Sequence, residues 1–597
     1  MTNNISPSKK RIVATQEDIQ DLEDFLTAYP EHAEEAETRM RELNPKILPK
    51  GYPFWDKGSK PEIRARKLIE FLESQGFGKL QTVESRTSRT ELFKEDDGVL
   101  QLHNASSLRS WLIDYVEKSG QDIDQADIIS AVLDKLVKLT PNSLDTWCQS
   151  LPSWSETGHT ETKKLNLFND DKNNCYIPFK NGVVHITKNT IELLDKDVLK
   201  SKGCIWESKI ISKTIGIDKE FHASGSCNQG NTFKDFIHYA LKDNVEPQRP
   251  SNGGINYYTE GTEDPLYSGR KDAFETAFGY LIHSYNPPDE GKIVVFIDVD
   301  SSPERTDGGN GKSLAMEMVK YYRKTTFVDG KAFRKGMNDS SRFNFSNVQV
   351  DTGFININDI NPDFDLTQIF SLVTDDMTIE GKGTNKIVIP RDKKPKMGIS
   401  TNYVVTGVGT SFDRRQHIVE FGNFWSKCVQ LNIKPQEILG QMIGREDFTE
   451  KDWIDFYNYG FYCVQKYLNN GLLAQPNANY RRKTLIASIE GVTGTGEVTE
   501  WIEDYCLEGR KEHPNGVTTS ELFRLFVMSV PPNIILEWDT PRLLSAMFDY
   551  VKVQDHLEWN PKFAHKGNTR SDRRDRRGAS GDQKEYVTIA DKKGGKK

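Results

Sequence analysis

Hydrophobic positions divide this chain into stretches of different period. From about residue 61 to 150 they recur at three- and four-residue steps, as in Ile63 to Leu72, Leu108 to Val116 and Ile128 to Leu139, which predicts amphipathic helices. From Asn166 to Ile215 the pattern shortens to strand-like runs between turns. Its clearest piece is Tyr176-Ile177-Pro178-Phe179-Lys180-Asn181-Gly182-Val183-Val184-His185-Ile186, two β-like runs about an Asn-Gly pair, a strong hairpin signal. Helical spacing returns over 216 to 290 and ends with Ala273 to Ser284. From 291 to about 425 apolar runs alternate with helical stretches, as in an α/β unit. A further helical stretch, Trp453 to Leu472, leads to a C-terminal unit.

These shifts predict a multidomain α+β protein. Its expected parts are a polar segment over 1–60, with an acidic helix-like stretch from Gln16 to Leu43, and a helical domain over 61–165. An α+β region over 166–290, an α/β core over 291–425, a helical extension over 426–489 and a C-terminal domain over 490–597 complete it. A length of 597 residues and a hydrophobic fraction of 36% suffice for several cores. The net charge of −8 assigns any nucleic-acid contact to local basic surfaces rather than to a global field. Seven cysteines without a C-x-x-C pair argue against a zinc ribbon or finger and fit a reducing compartment. No apolar run approaches the ~20 residues that span a bilayer, and Met1 to Pro7 carries no apolar signal segment. The expectation is a cytoplasmic protein without a membrane partner.

One stretch carries chemistry more plainly than any other: Thr306-Asp307-Gly308-Gly309-Asn310-Gly311-Lys312-Ser313. It follows Ile293-Val294-Val295-Phe296-Ile297 and precedes Leu314-Ala315-Met316-Glu317-Met318-Val319, so it lies between strand and helix. Glycines let successive N–H groups converge on phosphate oxygens. On this reading Gly308, Gly309, Asn310, Gly311, Lys312, Ser313 and Leu314 bind ATP. Lys312 reaches the β/γ-phosphates and the Ser313 hydroxyl ligates Mg²⁺. Thr306 departs from the usual first glycine of the pattern.

Three segments downstream of the loop narrow the class. Phe354-Ile355-Asn356-Ile357-Asn358-Asp359 is an apolar strand ending in an acid, suited to hold Mg²⁺ beside Ser313 or to orient water. Lys396-Met397-Gly398-Ile399-Ser400-Thr401-Asn402 ends in an amide able to sense a γ-phosphate. Ser411-Phe412-Asp413-Arg414-Arg415 offers two guanidiniums for the charge of a transferring phosphoryl group. Upstream, Phe296-Ile297-Asp298-Val299-Asp300 has the hydrophobic-Asp-x-Asp look of a primase metal site, but it runs straight into the loop and is assigned to the preceding strand.

Taken together, loop, acid strand, Asn strand and paired arginines resemble the superfamily 3 helicases of small viruses, phages and plasmids. Upstream, Phe278-Gly279-Tyr280-Leu281 and the Tyr176 to Ile186 hairpin resemble parts of phage and poxvirus-type primase-helicases, without a polymerase-type primase domain. The resemblance implies an AAA+-like P-loop ATPase core, with Lys312, Asp359, Asn402 and Arg415 or Arg414 as its catalytic residues. It implies a hexameric homo-oligomer acting 3′→5′ on single-stranded or forked DNA in the host cytoplasm; a separate primase or origin-binding protein is a candidate partner that the sequence leaves open. Met377 to Ile389 reads as the DNA-gripping hairpin, with Lys382 at its tip and Lys386 just beyond. The family's paired acids are replaced by Asn358 and Asp359, leaving Asp351 or Asp363 as other candidate acids. An origin-melting initiator, a packaging motor, a small-molecule kinase and a nucleotide-binding DNA scaffold with weak turnover remain alternatives.

The C-terminal unit reads as helices over Val498 to Glu508, Leu522 to Val530 and Arg542 to Tyr550, with Thr518-Thr519-Ser520-Glu521 as a capping box. Tyr586-Val587-Thr588-Ile589 could form a wing strand, so the unit resembles a winged helix; a small helical bundle fits nearly as well. The basic runs Arg570 to Arg577 and Lys592 to Lys597 suit phosphate contacts by counterion release, although aspartates interrupt the first.

Overall fold

The computed structural model describes residues 54–592 except 57–60, 82–89, 120–125, 156–162, 225–230, 244, 246, 248–263, 287–290, 300–308, 334–343, 350, 362–363, 365, 380–386, 406–409, 445–446, 476–477, 491–493, 555, 562–574 and 579–582. The stretch from Gln16 to Leu43, the acid Asp363, and Gly308, Lys382 and Lys386 therefore lie outside the described residues. The fold is mixed α/β. No helix among the described residues is long and apolar enough to cross a membrane.

The region expected to be helical also carries a sheet. Helices Ala65–Ser74, Ala105–Ser119, Ala126–Lys138 and Pro141–Cys148 enclose a core of Phe54, Phe71, Leu108, Leu112, Leu136 and Leu144. Interleaved with them are Phe77–Gln81, Thr90–Asp96 and Val99–His103, joined to short strands at Ser153–Ser155, Lys163–Lys164 and Ile205–Trp206 in one six-stranded sheet. The reason is local. Asp96 pairs with Val99 across a two-residue loop, Asp97-Gly98, whose φ values of 53° and 83° fit the primed turn that suits a hairpin's twist.

The Asn-Gly hairpin is present, as Cys175–Phe179 paired with Gly182–Ile186, and Ile191–Leu194 adds a third strand. The Asn181 side chain ties this turn to Ile215, accepting from its N–H at 3.0 Å and donating to its carbonyl at 2.9 Å. Phe179 then packs edge-on against Tyr457.

Five parallel strands form the centre: β1 (Ile293–Asp298), β2 (Thr325–Asp329), β3 (Phe354–Asn358), β4 (Lys396–Ser400) and β5 (Gln416–Phe421). Their order is β2-β3-β4-β1-β5. Strand β1 is buried throughout because both faces are covered, which explains its unbroken apolar run. Val294 and Phe296 join Phe354, Val419 and Phe421 in one core, whereas Ile293, Val295 and Ile297 join Ile355, Ile357 and Ile399 in the other.

Helices α1 (Thr232–Ala240), α2 (Tyr267–Ile282) and α3 (Lys312–Glu317) precede or follow β1, and α4 (Thr410–Arg415) leads into β5. Next come α5 (Phe424–Gln430), α6 (Glu450–Asn470) and α7 (Ala478–Glu490). Helices α2 and α6 cross so closely that a Cβ on Gly279 would lie 2.1 Å from the Cys463 carbonyl oxygen. Glycine is fixed there by contact, not by backbone freedom. Helix α7 links two cores, with Tyr480 in that of the central sheet and Ile489 in that of the C-terminal domain.

That domain packs α8 (Glu497–Leu507), α9 (Thr519–Ser529) and α10 (Thr540–Val553) beside a three-stranded antiparallel sheet. The sheet runs in the order Val517–Thr518, Lys584–Val587, Asp575–Arg577. Thr518 caps α9 by accepting from the Glu521 N–H at 3.2 Å, as the capping pattern predicts.

Candidate functional site

Parallel strands end together, so the carboxyl edge of the central sheet gathers side chains from distant parts of the sequence. Phe296 pairs with Ser400 and Ser400 with Asn358, which places Asp298, Asn358 and Ser400 at or near neighbouring strand ends. The described part of the glycine-rich loop, Gly309 to Ser313, lies between β1 and α3. Gly309 and Gly311 have φ of +120° and +90°, where side chains are strained. A Cβ on Gly311 would also meet the Phe236 ring at 2.3 Å, so α1 holds the loop from behind. Asn310 is buried and accepts from the Ser426 N–H at 3.0 Å, which fastens the loop to α5. Leu314 packs against the core formed with α2 and α6.

Lys312 is 5% exposed and forms an ion pair with Asp298, whose side chain is 9% exposed. Burial pulls the Lys312 ammonium below its ordinary range, and Asp298 offsets part of that pull. Ser313 donates its hydroxyl proton to the Asn358 side-chain oxygen at 3.0 Å and lies 3.2 Å from the Ser400 hydroxyl. Ser400 donates to the same Asn358 oxygen.

The candidate acids and arginines are spread over both edges of the sheet. Asn358, rather than Asp359, meets Ser313. Strand β3 ends at Asn358; Asp359 turns into the left-handed region at φ +58°, and its carboxylate pairs with Lys331. Asp351 is no substitute, because it precedes β3 at the opposite end and is buried against Lys324 at 2.6 Å and Ser208 at 2.5 Å. Arg414 and Arg415 are also remote from the loop of their own chain. They end α4 just before β5, whose first residue, Gln416, pairs with Ile293 at the amino edge of the sheet. A five-residue strand spans roughly 16 Å, so the two edges are about that far apart. The Arg415 guanidinium sits 5.0 Å from the Phe370 ring centroid, and Arg414 is exposed.

Asn402 stays near the site: it is half-buried and lies two residues beyond Ser400. Asp298 stood out only within the Asp298-Val299-Asp300 pattern, which gave no sign of its contact with Lys312, and Ser400 had no distinguishing sequence signal. Asn358 was visible as a departure from an acidic pair, but its contact with Ser313 was not.

The residues suit a phosphate ligand. The glycine conformations leave the backbone unobstructed, and a cation and a hydroxyl lie at the same edge. They suit magnesium held largely by phosphates and water, an ion that commonly takes only one or two protein ligands.

No family model matches the chain, and no curated protein matches it. Among solved structures, the apo A form of the NrS-1 C-terminal region is similar at 12% identity, covering 70% of this chain and 96% of that one, with a TM-score of 0.26. A second NrS-1 C-terminal structure, spanning its residues 305–718, is similar at 12% identity over 68% of this chain and 94% of that one, also with a TM-score of 0.26. Superposition at that level lends neither fold nor activity to this chain.

Proposed function

We propose that this chain is an ATP-driven DNA helicase of superfamily 3 type, acting in the replication of a phage, virus or mobile element. The central sheet is read as its P-loop motor and the C-terminal domain as a winged helix. The observation that carries the reading is the Gly309–Ser313 loop between β1 and α3, with Ser313 bonded to the end of β3, two positions away in a β2-β3-β4-β1-β5 sheet. Lys312 and the loop amides would hold the phosphates of ATP, while Ser313 would hold Mg²⁺ with Asn358 beside it. Asn402 would orient water near the γ-phosphate. Arg415 or Arg414 would act on the ATP of a neighbouring subunit, because each lies at the edge remote from its own loop. A head-to-tail contact that closes into a ring, with six subunits by family resemblance, supplies such a neighbour. Lys382 and Lys386 would grip one DNA strand in the channel.

The test is ATP hydrolysis with and without single-stranded DNA, for wild type beside Lys312→Ala. DNA-stimulated turnover that disappears in the variant supports the motor; turnover indifferent to both DNA and Lys312 removes it. A second reading, a nucleotide-binding scaffold on DNA with weak hydrolysis, is favoured by one observation. The group against Ser313 is the neutral Asn358, where a carboxylate would bind Mg²⁺ more strongly and could polarise water.

A further inference from the structure

Lys312 already has a partner of opposite charge. Its ammonium pairs with Asp298 at the end of β1, and both side chains are shielded from water. The carboxylate is anchored by its backbone. Asp298 pairs with Phe421 of β5, and the next N–H, that of Val299, donates to the Phe421 carbonyl at 2.8 Å. The Lys483 ammonium of α7 donates to the Val299 carbonyl, pinning the same turn from the other side. Asp298 is therefore poorly placed to follow Lys312 toward a ligand on the loop.

We propose that Asp298 is a latch on the loop lysine: a resting counter-ion that competes with the ligand's phosphates for Lys312. The inference rests on reading the glycine-rich loop as a phosphate site. In a dry pocket an ion pair is held strongly, and removing one partner leaves the other buried and uncompensated. An incoming phosphate must supply the lost compensation, and it also brings its own negative charge near the released carboxylate. Both effects oppose binding. A latch closed nine-tenths of the time weakens apparent affinity about tenfold, since only the open fraction is competent. Asp298 is thus a positioning residue that acts through Lys312.

The test uses the full chain and isothermal titration calorimetry with tripolyphosphate and with Mg·ATP. Asp298→Asn keeps the shape and an acceptor oxygen but removes the charge; it is expected to bind tripolyphosphate about tenfold tighter than wild type. The gain should vanish in the Asp298→Asn/Lys312→Ala double variant, a coupling that a merely structural role would not produce. Asp298→Ser, smaller and also uncharged, is expected to move affinity the same way and gives the readout if the Asn variant does not fold. Equal or weaker binding by the uncharged variants overturns the latch. If wild type binds, Lys312→Ala loses binding and Asp298→Asn gains nothing, the latch alone is wrong. If even wild type binds neither ligand, the phosphate-site reading falls and the latch falls with it.

Discussion

The two edges of the central sheet are built from the same five strands and differ in almost everything else. At the carboxyl edge a buried ion pair, Lys312 with Asp298, lies beside the hydrogen-bonded set of buried Ser400 with exposed Ser313 and Asn358. At the amino edge, Arg414 is exposed and Arg415 lies on an aromatic ring. One edge can receive phosphate groups, and the other can offer charge to something outside the chain. On the proposed reading each edge supplies half of a phosphoryl-transfer site, and two subunits meet at each nucleotide.

The largest expected effect comes from the arginine edge. Arg415→Ala should lower ATP turnover by about 10³-fold, the scale of an arginine finger, while nucleotide affinity changes little. Equal losses in affinity and turnover would place the arginine in ground-state binding instead. Arg414→Ala, measured beside it, decides which of the two is the finger.

Acid should loosen the same edge. His417 of β5 is buried, and burial pushes its imidazole down to about 4. Between that value and an unfolded pKa of about 6.5, the unfolded chain binds the extra proton, so stability is full above about 6.5 and falls as pH drops toward 4. The loss is on the order of 3 kcal/mol by pH 4, and His417→Gln should flatten that slope in urea unfolding at several pH values.

Packing between α2 and α6 supports both edges from one face. Gly279→Ala places a methyl group into the Cys463 carbonyl and should cost about 3 kcal/mol, the upper end for overpacking, read as a lower unfolding midpoint. The smallest effect separates motor from scaffold at the carboxyl edge. Asn358→Asp restores a carboxylate against Ser313 and should raise Mg²⁺-dependent turnover by about tenfold, roughly 1.4 kcal/mol of barrier. No change would show that Asn358 does not limit the chemistry.

Sequence legibility followed the range of the interactions. The Asn-Gly hairpin and the Thr518 cap were readable because their determinants lie within a few residues. The Asp97-Gly98 hairpin was just as local, yet the helical periodicity on either side masked its short strands. At the candidate site, the glycine loop announced itself by spacing. Asp298, Ser400 and Asn358 became neighbours only through the order of parallel strands, which no local pattern encodes. Asp359 was read as the acid of the site because it follows an apolar run; its left-handed backbone and its ion pair with Lys331, a residue just after β2, are not encoded in that run.

The most direct test of the divided site mixes two inactive proteins, Lys312→Ala and Arg415→Ala, and measures ATP hydrolysis. An intact loop from one variant facing an intact arginine from the other rebuilds a whole site. A shared site predicts turnover well above that of either protein alone, rising as the two are allowed to exchange subunits. Mixtures no more active than their components, from a wild type that hydrolyses ATP, would contradict a site shared between subunits.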